Sequence, residues 1–348
     1  MGIRKIFTIH STSEVGPTRF RWVPSWGADA RDDGGPSMAH HGVAATSDGR
    51  IVTFDAAEPI VRFRDAKGRL LDSWRAPVTT GHGLCVARQG ETESLWIADN
   101  GDSWVELPDR SYGSARPPTS RIEGAVVQLA LDGSEITRLT TPDHPAYESG
   151  NYCPTDVAID ERHVGGHGDI WVADGYGQSL VHHFDADGRL LNTITGEEGA
   201  GRFVGPHAIH VDHRGGDAEI YIADRENARI QVFSPDGSFL RVVGMGTLIS
   251  PGGFASLGDE LIVSELDGRL AILGRDDTIV AIIGQGGLDG RNRPGWPNSL
   301  DDTGATVRPT LTDGVFNTPH GIATDGDGNV YVSEWVIGGR LIKLERVP

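Results

Sequence analysis

The sequence predicts an all-β protein, a six-bladed β-propeller closed by a strand from its own N-terminal segment. Three observations carry that prediction. A unit of four short apolar runs, bounded by Gly and Asp, recurs six times. The last copy stops after its third run, at Arg346-Val347-Pro348. The segment RFRWVPSWG, residues 19–27, supplies a matching outer run at the other end of the chain. A split repeat of this kind is expected where both chain ends share one sheet, because their pairing removes an exposed edge.

The units follow in order as one domain spanning 1–348, with blades beginning near residues 41, 82, 156, 207, 253 and 320. First strands open at His41-Gly-Val, His82-Gly-Leu, Thr155-Asp156-Val, His207-Ala-Ile, Gly253-Phe-Ala and His320-Gly-Ile. Second strands end at Asp55, Asp99, Asp174, Asp224, Glu265 and Glu334. Third and fourth strands meet at Gly turns such as Lys67-Gly68, Asp187-Gly188 and Asp236-Gly237. Two insertions interrupt the rhythm, at 101–123 and 287–316, and both read as long loops without secondary structure of their own.

Composition narrows the function classes. The chain has 348 residues, a formal net charge of -18 and 38% hydrophobic residues. That charge repels phosphate backbones and argues against nucleic acid as a partner. Cys85 and Cys153 do not make a disulfide framework. The stretch MGIRKIFTIHSTSEVG has no apolar core of a signal peptide, and no run reaches membrane-spanning length. The expectation is a cytoplasmic protein that acts on a small molecule and has no membrane partner.

Strand alternation places the starts of first strands and the ends of second strands at the same end of every blade. The inner positions are read as His41, His82, Asp156, His207, Gly253 and His320. A single His there reads as a turn residue. Four imidazoles at one level read as a site for one divalent ion, zinc foremost, because neutral imidazole is a common first-row metal ligand. The expected ligands are His82, His207 and His320, with His41 as a fourth ligand or as a base. The six acidic strand ends are too regular for catalysis and read as acceptors for turn N–H groups. The residues just after them differ between blades. Tyr176 and Arg225 stand there on blades three and four. They offer a phenol that a nearby cation can acidify and a guanidinium fork for a carboxylate.

The motifs GHGL at 81–84, CPTDVAID at 153–160, VADGYGQS at 172–179, GPHAIHVD at 205–212, IADRENARIQVF at 222–233 and TPHGIATD at 318–325 carry a resemblance. The chain resembles NHL-repeat propellers and, within them, peptidyl-α-hydroxyglycine α-amidating lyase. The resemblance implies a zinc held by His82, His207 and His320, a catalytic Tyr176 and a substrate-binding Arg225. It implies a lyase that cleaves a C–N or C–O bond of a small hydroxylated or carboxylate-bearing substrate. Three positions depart from the family's pattern. Ala56 replaces an arginine, Gly177 replaces a disulfide cysteine, and Gly321 replaces a structural-calcium carboxylate, so a structural calcium is not supported. The departure at Ala56 predicts poor turnover of peptide α-hydroxyglycine. Two other readings stay open at this level. One is a propeller lactonase, hydrolase or isomerase using the same metal, and the other is a non-catalytic NHL propeller that binds a partner.

Overall fold

The structure is a computed structural model, and it describes residues 6–9, 18–28, 37–55, 57–114, 122–284 and 290–347. Ala56 therefore lies outside the described residues. The fold is all-β, a six-bladed β-propeller, with no α-helix among the described residues. No helix among them is long and apolar enough to cross a membrane.

The chain divides into two compact units, each carrying three blades. One comprises Trp74–Ser103 and Arg116–Gly253, and the other comprises Met1–Ser73, Trp104–Ala115 and Phe254–Pro348. In the first unit, blade two pairs Leu84–Gln89, Thr92–Asp99, Ala125–Ala130 and Glu135–Leu139 as antiparallel neighbours. Blade three runs from Asp156–Ile159 to Leu190–Ile194, and blade four from Pro206–Asp212 to Phe239–Val243. The second strand of blade three, Ile170–Asp174, is buried at every residue, so it reads as a nearly continuous apolar run. Outer strands such as Leu190–Ile194 are partly exposed, as sheet edges are. Between blades two and three the core packs Trp96, Tyr152, Val157 and Val172, and between three and four Trp171, Phe203, Ile222 and Phe233.

In the second unit, blade one spans Val43–Ala45 to Leu70–Arg75, and blade five spans Pro251–Leu257 to Ile279–Gly284. Blade six holds Pro319–Thr324, Val330–Glu334 and Arg340–Val347. Its fourth strand is Thr18–Val23, which pairs antiparallel with Arg340–Val347. This is the closure expected from the split repeat, somewhat shorter than the 19–27 segment. Phe20 and Trp22 anchor it in a core with Ile342, Leu344 and Phe316. A further strand, Ile6–Ile9, pairs outside it and was not foreseen in the sequence.

The turns that set this register are local. Asp65 Oδ1 accepts the N–H groups of Lys67 at 2.9 Å and Arg69 at 3.0 Å. Asp185 does the same for Asp187 and Arg189 on blade three. Gly68 must be glycine twice over: its φ is +87°, and a Cβ there would sit 2.5 Å from the Gly27 nitrogen.

Neither insertion is structureless. The first carries the hairpin Trp104–Glu106 with Tyr112–Ser114, and the second carries Ser299–Leu300 with Thr306–Val307. The Thr306 N–H donates to the Arg110 carbonyl at 3.2 Å, so the two insertions brace one another.

Candidate metal centre and acid–base site

The strand starts of the even-numbered blades present His82, His207 and His320, all nearly buried. Each ring is oriented by the blade that follows. His82 Nδ1 lies 2.5 Å from the Thr155 carbonyl, His207 Nδ1 lies 2.7 Å from the Gly252 carbonyl, and His320 Nδ1 lies 3.3 Å from the His41 carbonyl. A carbonyl only accepts, so Nδ1 carries the proton in each ring and Nε2 keeps its lone pair. That is the tautomer and the outer support found behind metal-ligating histidines.

The pairing also corrects the inner positions read from the sequence. Asp156 faces Ala173 across the sheet, as Gly321 faces Ser333. The residue of blade three equivalent to His82 and His207 is therefore Thr155, not Asp156, and on blade five the carbonyl that meets His207 is that of Gly252 rather than Gly253. The odd-numbered blades contribute carbonyl groups where the even-numbered blades contribute imidazoles.

Within the first unit, His82 and His207 lie edge to face with ring centroids 4.9 Å apart, and the Tyr176 ring is 5.2 Å from His82. The Tyr176 oxygen is 3.0 Å from His207 Nε2, and Arg225 Nη1 donates to that oxygen at 3.3 Å. The Arg225 guanidinium also stands 5.5 Å from the centre of the Tyr176 ring. Arg225 opens a short 3-10 turn, Arg225–Asn227, and its Nε donates to Glu226 at 2.8 Å. Burial raises the Tyr176 phenol above its ordinary range, and the Arg225 charge and hydrogen bond oppose that shift. Sequence equivalence of two strand ends had suggested this pair, and the structure brings their side chains together.

Within the second unit, His320 lies 4.8 Å from the ring of His40, which in turn lies 5.5 Å from Trp335. His41, expected to face the metal, is placed otherwise. Its Nδ1 is 3.1 Å from the Gly42 carbonyl, and its own carbonyl accepts from His320 and from Ser333 Oγ at 2.7 Å. His40 and His320 in this unit, and His82 and His207 in the first unit, are the candidate metal ligands, with one ligand nitrogen each. The sequence reading missed His40, because the His-Gly pattern aligns His41 with His82 and His320. The His40-His41 doublet was the only hint.

The acidic strand ends are structural. Asp99 accepts from Thr79, Thr80 and Gly101 N–H groups, and Asp174 accepts from Cys153 and Gln178 N–H groups, all within 2.7–3.1 Å. Asp224 and Glu334 do likewise for Val204 and Asn317 and also hold Arg229 and Arg340. Two of the departures have a steric basis. A Cβ at Gly177 would lie 2.1 Å from Asp174 Oδ1, and one at Gly321 would lie 2.5 Å from the Gly42 Cα. The Cys153 thiol is directed at the Asn100 carbonyl 2.9 Å away.

No family model matches the chain. The Caenorhabditis elegans protein named "Probable peptidyl-alpha-hydroxyglycine alpha-amidating lyase pgal-1" is 31% identical over 263 residues, covering 73% of this chain and 63% of that protein. Human NHL repeat-containing protein 3 is 31% identical over 176 residues, covering 49% of this chain and 43% of its own. The chain thus spans less than two thirds of the length of either relative. A solved streptogramin B lyase superposes with a TM-score of 0.57 at 14% identity over 99% of this chain and 98% of its own, which shows the fold alone. The chain is an NHL-type propeller that resembles an amidating lyase, and this likeness supports a propeller enzyme family.

Proposed function

We propose that this propeller is a metal-dependent lyase that cleaves the C–N or C–O bond of a small α-hydroxy acid derivative. The observation that carries the reading is the Tyr176 oxygen, held between Arg225 at 3.3 Å and His207 Nε2 at 3.0 Å. The residues fit a divalent ion by their donor chemistry. His82, His207 and His320 are set by backbone carbonyls to offer Nε2, and these imidazoles together with His40 would make a donor set that suits zinc. When bound, the ion would polarise a substrate hydroxyl or carboxylate oxygen.

The protein's own groups would do the rest. Arg225 would hold the substrate carboxylate and favour the phenolate form of Tyr176. Tyr176 would take the proton of the substrate hydroxyl. The C–O bond then becomes a carbonyl, the bonding pair of the neighbouring C–N or C–O bond leaves with the nitrogen or oxygen, and that atom receives the proton. On an N-acyl-α-hydroxyglycine the products would be an amide and glyoxylate. The likeness to the nematode protein supports this class of chemistry.

The experiment has two readings. Elemental analysis of the purified protein should find one first-row divalent ion per chain. A panel of N-acyl-α-hydroxyglycines and other α-hydroxy acid derivatives should then yield a carbonyl product, with glyoxylate followed directly. The departure at Ala56 predicts that peptidyl members of the panel will be turned over slowly. A protein that binds no metal and yields no carbonyl product from any member would leave a non-catalytic propeller as the better account.

A further inference from the structure

Blade six carries an indole at the position where blades three and four carry Tyr176 and Arg225. Trp335 directly follows Glu334, the acidic end of that blade's second strand. Its backbone is fixed beside the first strand. The Trp335 N–H donates to the Thr318 carbonyl at 3.0 Å, and Thr318 Oγ1 donates to the Trp335 carbonyl. The half-buried Trp335 ring lies 5.5 Å from that of His40, which lies 4.8 Å from that of His320. A second indole, Trp296, comes from the insertion between blades five and six. It meets Trp335 edge to face, with centroids 5.4 Å apart and planes at 81°. Four rings thus run in a row that starts at a proposed metal ligand: His320, His40, Trp335 and Trp296.

The row is held in place on several sides. Asn317 Nδ2 donates to the Pro297 carbonyl at 2.9 Å. Asn298 is 3% exposed, and its Oδ1 accepts the Ile337 N–H at 2.9 Å. These bonds clamp the insertion to blade six on both sides of Trp335. The Arg291 guanidinium stands 5.7 Å from the centre of the Trp296 ring, and its Nε donates at 2.9 Å to Asp267, whose side chain is fully buried. Held in this way, both indoles stay half-buried, and neither indole N–H has an acceptor among the described residues. The charges beside the row are matched, Arg291 by Asp267 and Glu334 by Arg340, so it does not favour a charged chain. Flat apolar groups suit such a surface, because aromatic rings pair edge to face or offset.

We propose, resting on the lyase reading of this site, that Trp335 and Trp296 select the acyl group of the substrate and take an aromatic one, its ring packed against the two indoles. The reacting end of the substrate belongs at the imidazoles. The part that lies along the ring row is therefore the part that does not react, which in an N-acyl-α-hydroxyglycine is the acyl group.

Phenylacetylglycine and acetylglycine are the probes, since both lack the hydroxyl and cannot react. In calorimetric titration of the full chain as purified, phenylacetylglycine should bind at least about tenfold more tightly than acetylglycine. Trp335→Leu should weaken phenylacetylglycine about tenfold, leave acetylglycine unchanged and keep the metal content of the wild type. Equal affinities, no binding of either probe or an unaffected Trp335→Leu would overturn the proposal. Loss of metal from Trp335→Leu would also overturn it, by making Trp335 a support for His40. Should Trp335→Leu fail to fold, the wild-type protein still decides. The indole N–H resonances of Trp296 and Trp335, assigned with Trp296→Phe and Trp335→Phe, must shift with phenylacetylglycine, and stationary resonances reject the subsite. A protein that yields no carbonyl product yet shows this preference and these shifts keeps the aromatic subsite and loses the lyase reading. Turnover without preference for aromatic acyl groups does the reverse.

Discussion

The Tyr176 hydroxyl lies 3.0 Å from Nε2 of His207, the nitrogen that the Gly252 carbonyl leaves free of a proton by holding Nδ1–H. A phenol proton therefore points at a proposed metal ligand, and Arg225 steadies the phenol oxygen from another side. Replacing Tyr176 by Phe removes one hydroxyl and little volume. Tyr176→Phe should keep the melting temperature and metal content of the wild type and lose ~10²–10⁴-fold in turnover. Arg225→Ala should mainly raise KM. The check is steady-state kinetics on a substrate found in the panel. Wild-type turnover by Tyr176→Phe would remove this residue from the mechanism.

His40 and His41 are neighbours with different surroundings, and metal content should distinguish them. The His40 ring lies beside that of His320, a proposed ligand, whereas the His41 ring contacts the Gly42 carbonyl. His207→Ala should purify without stoichiometric metal. His40→Gln should weaken metal binding by ~10–100-fold or more, while His41→Gln should bind metal as the wild type does. Competition with a chromophoric chelator measures all three. A His41→Gln variant that loses the ion while His40→Gln retains it would reverse the assignment.

The closing strand should dominate stability. Phe20 is fully buried and Trp22 is 4% exposed, and Thr18–Val23 satisfies the edge of Arg340–Val347. Phe20→Ala should cost ~3–5 kcal/mol, as large aromatic truncations in cores do. Deleting residues 1–23 should cost more, because it also uncovers a strand edge. Denaturant midpoints decide this, and a truncated chain as stable as the full one would refute the closure as a stabilising feature.

A buried network on blade three should show itself in the pH dependence of stability. The Tyr147 hydroxyl donates to Asp174 at 2.6 Å and lies 2.7 Å from His182 Nε2, while His182 Nδ1 faces Thr193 Oγ1 at 3.0 Å. Burial, and after it the nearby His144, push the His182 imidazole down to about 3. The unfolded chain takes up a proton near pH ~6.5, and the folded chain resists it until near pH 3. The stability His182 contributes is therefore complete above pH ~6.5 and is lost as pH falls, by up to ~1.4 kcal/mol per unit. Asp174, raised to about 6 chiefly by burial, works in the opposite sense between pH 6 and its unfolded value near 4. Comparison with His182→Gln isolates the histidine: its stability should fall less steeply below pH 6.5 than that of the wild type. Parallel pH profiles would show that His182 carries no such cost.

Much of this molecule is written locally. The alternation within IWVAD or IYIAD, the Asp-to-Gly turns and the missing strand of the last unit are short-range patterns, so blade number, strand order and closure could be read directly. The structural role of the acidic strand ends was legible for the same reason, since a turn carboxylate and the N–H groups it accepts lie close in the repeat. Tyr176 and Arg225 were legible as exceptions within that repeat.

What only the tertiary structure decided lies where the repeat stops constraining the chain. His40 and His41 are adjacent and chemically identical. The choice between them depends on His320 and Ser333, nearly 300 positions away, which take the His41 carbonyl and leave the His40 ring beside His320. The inner register of blade three shifted by one residue because cross-strand pairing sets it, rather than the first apolar residue of the run. Arg64 sits in a stretch, IVRFRD, whose alternation suits either an exposed or a buried arginine. Only packing against another blade shows that this charge is inside, because burial is a property of neighbours that the strand's own sequence does not contain.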